Sequence, residues 1–326
     1  MEWTKAVQKF SIGPRFAHAS CQVNGKIYIF GGQKKGYLDD LWTWDTAGDE
    51  WISYTVNGKV PPPRVQSTLV FTGQEALLFG GYCENVAESN DLHSLDVLQP
   101  DMDVGHTWTQ PETQGEAPPK RYGHSATLIG ERMVVVAGQD SAHQLADAWI
   151  LHCPTYAWAE VRCSGAPFIP RTLHSASWIE GKGLYVVGGF NRKTRSLLEV
   201  MRLDLAADGS SGEWAKLPVS DEAKAFRGRS QHRAVQQSNH LIIFGGFDGD
   251  KPLNDIVVFD SDTDAFLAPP EAKNPPEPRS RHTLELVGSD LFCILGYKLD
   301  WACGPEVYTL RVGNSEEPLS RIMTAE

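Results

Sequence analysis

Leu241-Ile242-Ile243-Phe244-Gly245-Gly246 is a run of β-branched and apolar residues that stops on two glycines. Alone, it reads as a buried strand that ends where the backbone must bend or be approached closely. The run recurs. It stands as Ile27-Tyr28-Ile29-Phe30-Gly31-Gly32, Leu77-Leu78-Phe79-Gly80-Gly81, Val134-Val135-Val136-Ala137-Gly138 and Leu184-Tyr185-Val186-Val187-Gly188-Gly189. A sixth copy, Phe292-Cys293-Ile294-Leu295-Gly296, has lost its first glycine. With Gly31, Gly80, Ala137, Gly188, Gly245 and Leu295 equivalent, the spacings are 49, 57, 51, 57 and 50 residues. A period of this length is the mark of a repeat architecture.

Other residues keep the same register. About sixteen positions upstream of the glycines stand Arg15/His18, Arg121/His124, Arg171/His174, Arg229/His232 and Arg279/His282, with Arg64 and Ser67 in the second copy. Downstream comes an acidic-apolar step: Asp40-Leu41, Asp91-Leu92, Asp147-Ala148, Glu199-Val200, Asp255-Ile256 and Glu306-Val307. An aromatic closes five copies, at Trp51, Trp108, Trp158, Trp214 and Phe266. Each unit therefore reads as four short strands bounded by Gly, Pro and Asp. The sixth copy lacks its aromatic, and Trp3 stands 12 residues before Arg15, nearly the usual interval. Trp3-Thr4-Lys5 is thus expected to supply the last strand of the last unit, which removes an exposed sheet edge.

This arrangement resembles the kelch repeat, and the resemblance covers nearly the whole chain. It implies an all-β fold, a six-bladed kelch β-propeller with four antiparallel strands per blade, closed by the N-terminal strand. The expected limits are 1–312 for a single propeller and 313–326 for a C-terminal tail. Blade cores fall at about 12–54, 61–110, 118–161, 168–217, 226–268 and 276–312 plus 1–6.

The chain has 326 residues, 22% charged and 41% hydrophobic, which is globular usage and excludes wholesale disorder. Its formal net charge of −11 argues against a general nucleic-acid binder, which concentrates Lys and Arg to release counterions. No apolar run approaches the length of a membrane helix. Met1-Glu2-Trp3-Thr4-Lys5 has no apolar core of a secretory signal, and the 6 cysteines are scattered without a CxxC pair. The expectation is a reduced, cytoplasmic protein with no membrane span.

Signatures of catalysis are missing: there is no GxSxG, HExxH or GxxxxGK[ST]. Asp260-Ser261-Asp262-Thr263-Asp264 with Glu271 has calcium-loop spacing, but Ala265 stands where that loop needs glycine and Pro269-Pro270 where a helix should begin. Plant nitrile-specifier kelch enzymes carry an E-x3-D-x3-H iron triad, and no histidine here has Asp four residues before it. No enzyme, cofactor or metal is expected. The histidines that recur once per blade are read as hydrogen-bonding framework.

In ubiquitin-ligase adaptor kelch domains, which this blade pattern resembles, arginines entering the inner strand receive acidic peptides. By motif, the resemblance implies Arg15, Arg64, Arg121, Arg171, Arg229 and Arg279, of which two or three are expected to face the channel and the rest to pair inside their blades. Tyr37, Tyr82, Phe190, Arg192, Phe247 and Tyr297, in the loops after the glycine pairs, complete the candidate rim. Guanidiniums beside aromatics suit carboxylate recognition with aromatic anchoring. The function expected is a non-enzymatic adaptor or scaffold that binds a protein or peptide, through an acidic or C-terminal carboxylate motif, at the channel rim. Two alternatives compete. One is a small-molecule or metal-dependent enzyme using His93, His143 or Asp140 in the channel, and the other is a cytoskeletal scaffold. No BTB or F-box segment is seen, so service in a ubiquitin ligase would be as one subunit.

Overall fold

The computed structural model describes residues 1–98, 105–218, 227–267, 271–299 and 304–313. Every repeat folds as the register demands. In the first unit Ala19–Val23, Lys26–Gln33, Tyr37–Asp45 and Glu50–Ser53 pair antiparallel in that order, from the channel outward. The third repeats it with Ser125–Ile129, Arg132–Gln139, Gln144–His152 and Ala157–Glu160. In the sixth unit Val307–Arg311 takes Trp3–Lys5 as its outer neighbour, with Trp3 opposite Leu310. The innermost strands touch in cyclic order, so Ala19–Val23 contacts both Thr68–Phe71 and Thr283–Val287.

The core lies between the blades. Val70, Leu77 and Phe79 of the second unit pack on Met133, Val135 and Trp158 of the third. Ile27, Ile29, Trp44 and Trp51 of the first pack on Phe292, Ile294 and Val307 of the sixth. The glycine-pair strands are therefore apolar on both faces, and for that reason they read as continuous rather than alternating runs.

Backbone geometry confirms the alignment of the copies. The first position of each pair is left-handed, with φ of 68°, 62°, 52°, 58°, 61° and 60° at Gly31, Gly80, Ala137, Gly188, Gly245 and Leu295. The second must be glycine for space: a Cβ at Gly138 would lie 2.8 Å from the His124 Cβ.

One element was not foreseen. Val56–Gly58 and Arg162–Gly165 run parallel to the outermost strands of the second and fourth blades, and Gln114 makes the same kind of bridge to Ala157 in the third. The chain leaving one blade thus laces the outer edge of the next.

Candidate functional site at the channel mouth

The six motif arginines are not offered to a ligand. Their exposures run from 0 to 3%. Arg15 holds Asp40 at 2.6 and 2.8 Å, Arg64 holds Asp91 at 2.6 and 2.8 Å, Arg121 holds Asp147 at 2.9 and 2.7 Å, and Arg229 holds Asp255 at 2.8 Å twice. Arg171 pairs with Glu199. Each Nη1 also donates to the carbonyl of the left-handed residue, as Arg121 does to Ala137 at 3.0 Å. Burial alone would raise the Asp91 and Asp147 carboxyls; the bidentate guanidiniums outweigh it and hold both below the usual range. The expectation that two or three of these arginines face the channel is therefore corrected. Five of the six guanidiniums are staples joining the first, second and third strands of their own blades. Arg279 departs from the pattern. It donates to Leu295 and Glu277 carbonyls and lies over the Tyr308 ring at 5.1 Å, while Glu306 pairs with Lys298 at 3.0 Å.

The repeated histidines form a relay between blades. Each Nε2 meets a hydroxyl one residue past the histidine position of the preceding blade: His18 with Thr283 at 2.6 Å, His124 with Thr68 at 3.0 Å, His174 with Ser125 and His232 with Ser175 at 2.9 Å. Where the second copy has Ser67 for histidine, its would-be hydroxyl partner is Ala19. Burial holds these imidazoles neutral, with His174 pushed down to about 3.

The mouth is built by the residue between that arginine and histidine which the repeat leaves variable. Ala17, Gln66, Gly123, Leu173, Gln231 and Arg281 all have φ between 52° and 63°. Each donates its N–H to the carbonyl of its counterpart one blade back, at 3.0, 2.8, 3.0, 2.7, 2.8 and 2.9 Å, so six peptide groups form one closed ring. Above it, the residue after each arginine pairs with the residue after each glycine pair, as Thr172 does with Phe190 and Ser230 with Phe247.

A cavity of about 370 Å³ opens here over the third to fifth blades, lined by Tyr122, Phe190, Phe247, Arg195 and Arg281 together with Gln66, Gln139 and Gln231. Of the predicted rim residues, Phe190 and Phe247 line it. Tyr37, Tyr82 and Tyr297 gather instead around Phe16, Ala17 and Val65 on the opposite side, with Tyr82 and Tyr122 5.3 Å apart. Arg192 is exposed and donates to the Ala142 carbonyl at 3.0 Å, outside the cavity lining.

Sequence reasoning missed Arg281. Arg281 is half-buried, donates from Nε to Gln231 Oε1 at 3.0 Å, and sits over the Phe16 ring at 5.7 Å. Among the described residues it has no carboxylate partner. Arg195 lies over Phe190 at 5.5 Å. Its signal was available: Arg281 is the only charged residue at that position in six copies.

The residues of the competing enzyme reading do not converge. His93 is buried against Asp91 at 3.0 Å inside the second blade, and His143 is exposed beside Asp140. No group of three His, Cys, Asp or Glu among the described residues has metal-binding geometry.

The family model described as FBX42, beta-propeller domain, matches residues 15–214, and the KLHDC2/KLHL20/DRC7 Kelch-repeats domain matches residues 206–318. The chain is 26% identical to Host cell factor 1 of Homo sapiens over 318 residues, covering 72% of this chain and 15% of that protein. It is 27% identical to Acyl-CoA-binding domain-containing protein 4 of Arabidopsis thaliana, covering 77% and 38%. To Kelch domain-containing protein 3 of Rattus norvegicus it is 29% identical, covering 76% and 67%. The chain thus spans a minor part of the first two relatives. Register, blade geometry and family match agree: the chain belongs to the kelch-repeat β-propeller family.

Proposed function

We propose that this propeller is a protein-interaction module, an adaptor or scaffold, that grips a peptide or protein loop at the channel mouth through an acidic side chain or a free C-terminal carboxylate. The observation that carries this reading is the cavity in which Arg281 and Arg195 stand among three aromatic rings, with no carboxylate of the described residues on Arg281. A half-buried guanidinium lacking a counter-charge gains most when a carboxylate arrives, and adjacent aromatics supply the desolvated anchor. The glutamines offer both donors and acceptors to a peptide backbone.

Kelch relatives such as Kelch domain-containing protein 3 are consistent with an interaction role. We assign the whole of 1–312 to this one module and place it in the cytoplasm, with no nucleic-acid partner.

The test is affinity purification with mass spectrometry on wild type and on Arg281→Ala/Arg195→Ala. Partners captured by wild type should fall at least about tenfold in the variant. Its folding stability should change by under about 1 kcal/mol, because neither arginine staples a blade. A folded double variant that retains every partner would refute the assignment.

A further inference from the structure

Below the mouth the channel continues. The mouth cavity shares Gln66, Leu173, Gln231 and Arg281 with a neck of about 40 Å³. The neck in turn shares Ser67, His174 and Arg233 with a chamber of about 110 Å³ between the innermost strands.

This chamber lies where the histidine relay is broken. Ser67 replaces a histidine in the second blade, and Arg233 replaces a hydroxyl in the fifth. Blades two and five stand opposite each other in a ring of six, so the shortened side chain and the lengthened one face each other across the chamber. The change leaves a cost behind: His282 has lost its hydroxyl, and both of its ring nitrogens are buried without a partner. A buried Nδ1 without a partner recurs at His18, His124, His174 and His232, whereas among these histidines only His282 also has an orphaned Nε2, and a regular repeat that accepts the extra orphan at one blade does so where another demand overrides packing.

Arg233 is that demand. Its Nε donates to the His282 carbonyl at 3.1 Å, and the guanidinium makes no ion pair with any described residue. Glu285 also faces the interior; it accepts from Ser20 at 2.8 Å and acts on Arg233 through its charge, without closing an ion pair with it. The Ser67 hydroxyl has no protein partner among the described residues and borders both neck and chamber. We propose that the chamber binds one small inorganic oxyanion of phosphate size, held by the Arg233 guanidinium and the Ser67 hydroxyl. A planar fork of donors opposite a hydroxyl suits an ion with several acceptor oxygens. Nothing in this assignment depends on what the mouth binds.

Calorimetric titration of the full chain with inorganic phosphate, against chloride at equal ionic strength, tests it. One saturable site is expected for phosphate only. Arg233→Gln should weaken binding about tenfold or more. Glu285→Gln, which removes the competing negative charge, should strengthen it several-fold, an effect that a purely structural arginine would not produce. Crystals soaked in selenate should show an anomalous peak within hydrogen-bond reach of Arg233, a readout that stands even if Arg233→Gln fails to fold. No peak, or unchanged phosphate binding in folded Arg233→Gln, overturns the site.

Discussion

Two classes of arginine separate at the scale of single residues, and they answer to different measurements. Arg121 is fully buried, satisfied on Asp147 and the Ala137 carbonyl. Arg121→Ala leaves the partly buried Asp147 carboxylate with only the Trp149 indole N–H and strips the Ala137 carbonyl of its guanidinium donor, which costs about 3–5 kcal/mol. Urea unfolding should show a correspondingly lower midpoint with an unchanged slope. A loss under about 1 kcal/mol would mean that the pair behaves like a surface ion pair and does not staple the blade. Arg281 behaves in reverse: its loss leaves no buried acid behind, so its signature is in binding. Motif position alone could not make this distinction. The arginine and histidine were legible because six copies repeat the first and five the second, and repetition is what a shared framework demand produces. Repetition does not mark Arg281 or Arg233, since each occurs once; the signal of each is its departure from the other five copies.

The strands show the same division between what a pattern reveals and what it hides. The four strands of each blade were readable from the spacing of glycine pair, acid and aromatic, and Ala137 and Leu295 were placed correctly at the left-handed position although neither is glycine. The parallel lacing strands were not readable. A strand of about three residues has no periodicity, and its only trace is a glycine six residues before the arginine at Gly58, Gly115 and Gly165. The reason for that glycine is close approach. A Cβ on Gly115, at φ +74°, would lie 2.5 Å from the Trp158 carbonyl oxygen. Gly130 also has positive φ, +58°, but nothing lies within 4 Å of its Cβ position. Gly130→Ala should therefore cost only the left-handed penalty of about 1–2 kcal/mol. Gly115→Ala adds a backbone clash worth about another 1–3 kcal/mol. Equal losses in paired unfolding experiments would show that contact with the tryptophan carbonyl does not position the lacing segment.

For the whole molecule, the histidine relay makes stability depend on pH in a window that carboxylates alone would not give. His18, His124, His174, His232 and His282 are each held neutral, first by burial and then by nearby arginines. Their folded pKa values lie below the unfolded value of about 6.5, so the unfolded chain binds more protons beneath that pH. Stability from these groups is complete above about pH 6.5 and falls as pH drops toward the folded values. Each contributes a slope of about 1.4 kcal/mol per pH unit, about 7 kcal/mol per unit for the five together. That is comparable to the entire stability of an ordinary domain. The lowered carboxyls of Asp40, Asp91 and Asp147 act in the same direction but only below about pH 4. Glu285, raised by burial, opposes the trend as a single group. The ring should thus lose stability below about pH 6.5, before the carboxylates paired with its arginine staples titrate. Urea midpoints taken in half-unit steps from pH 8 to 5 should be level at first and then fall steeply. His232→Gln should lessen the slope by about one fifth, since it removes one of the five titrating rings. A midpoint that stays level down to pH 5 would mean the imidazoles accept protons in the folded channel, and the relay would then not be the neutral hydrogen-bonded ring described here.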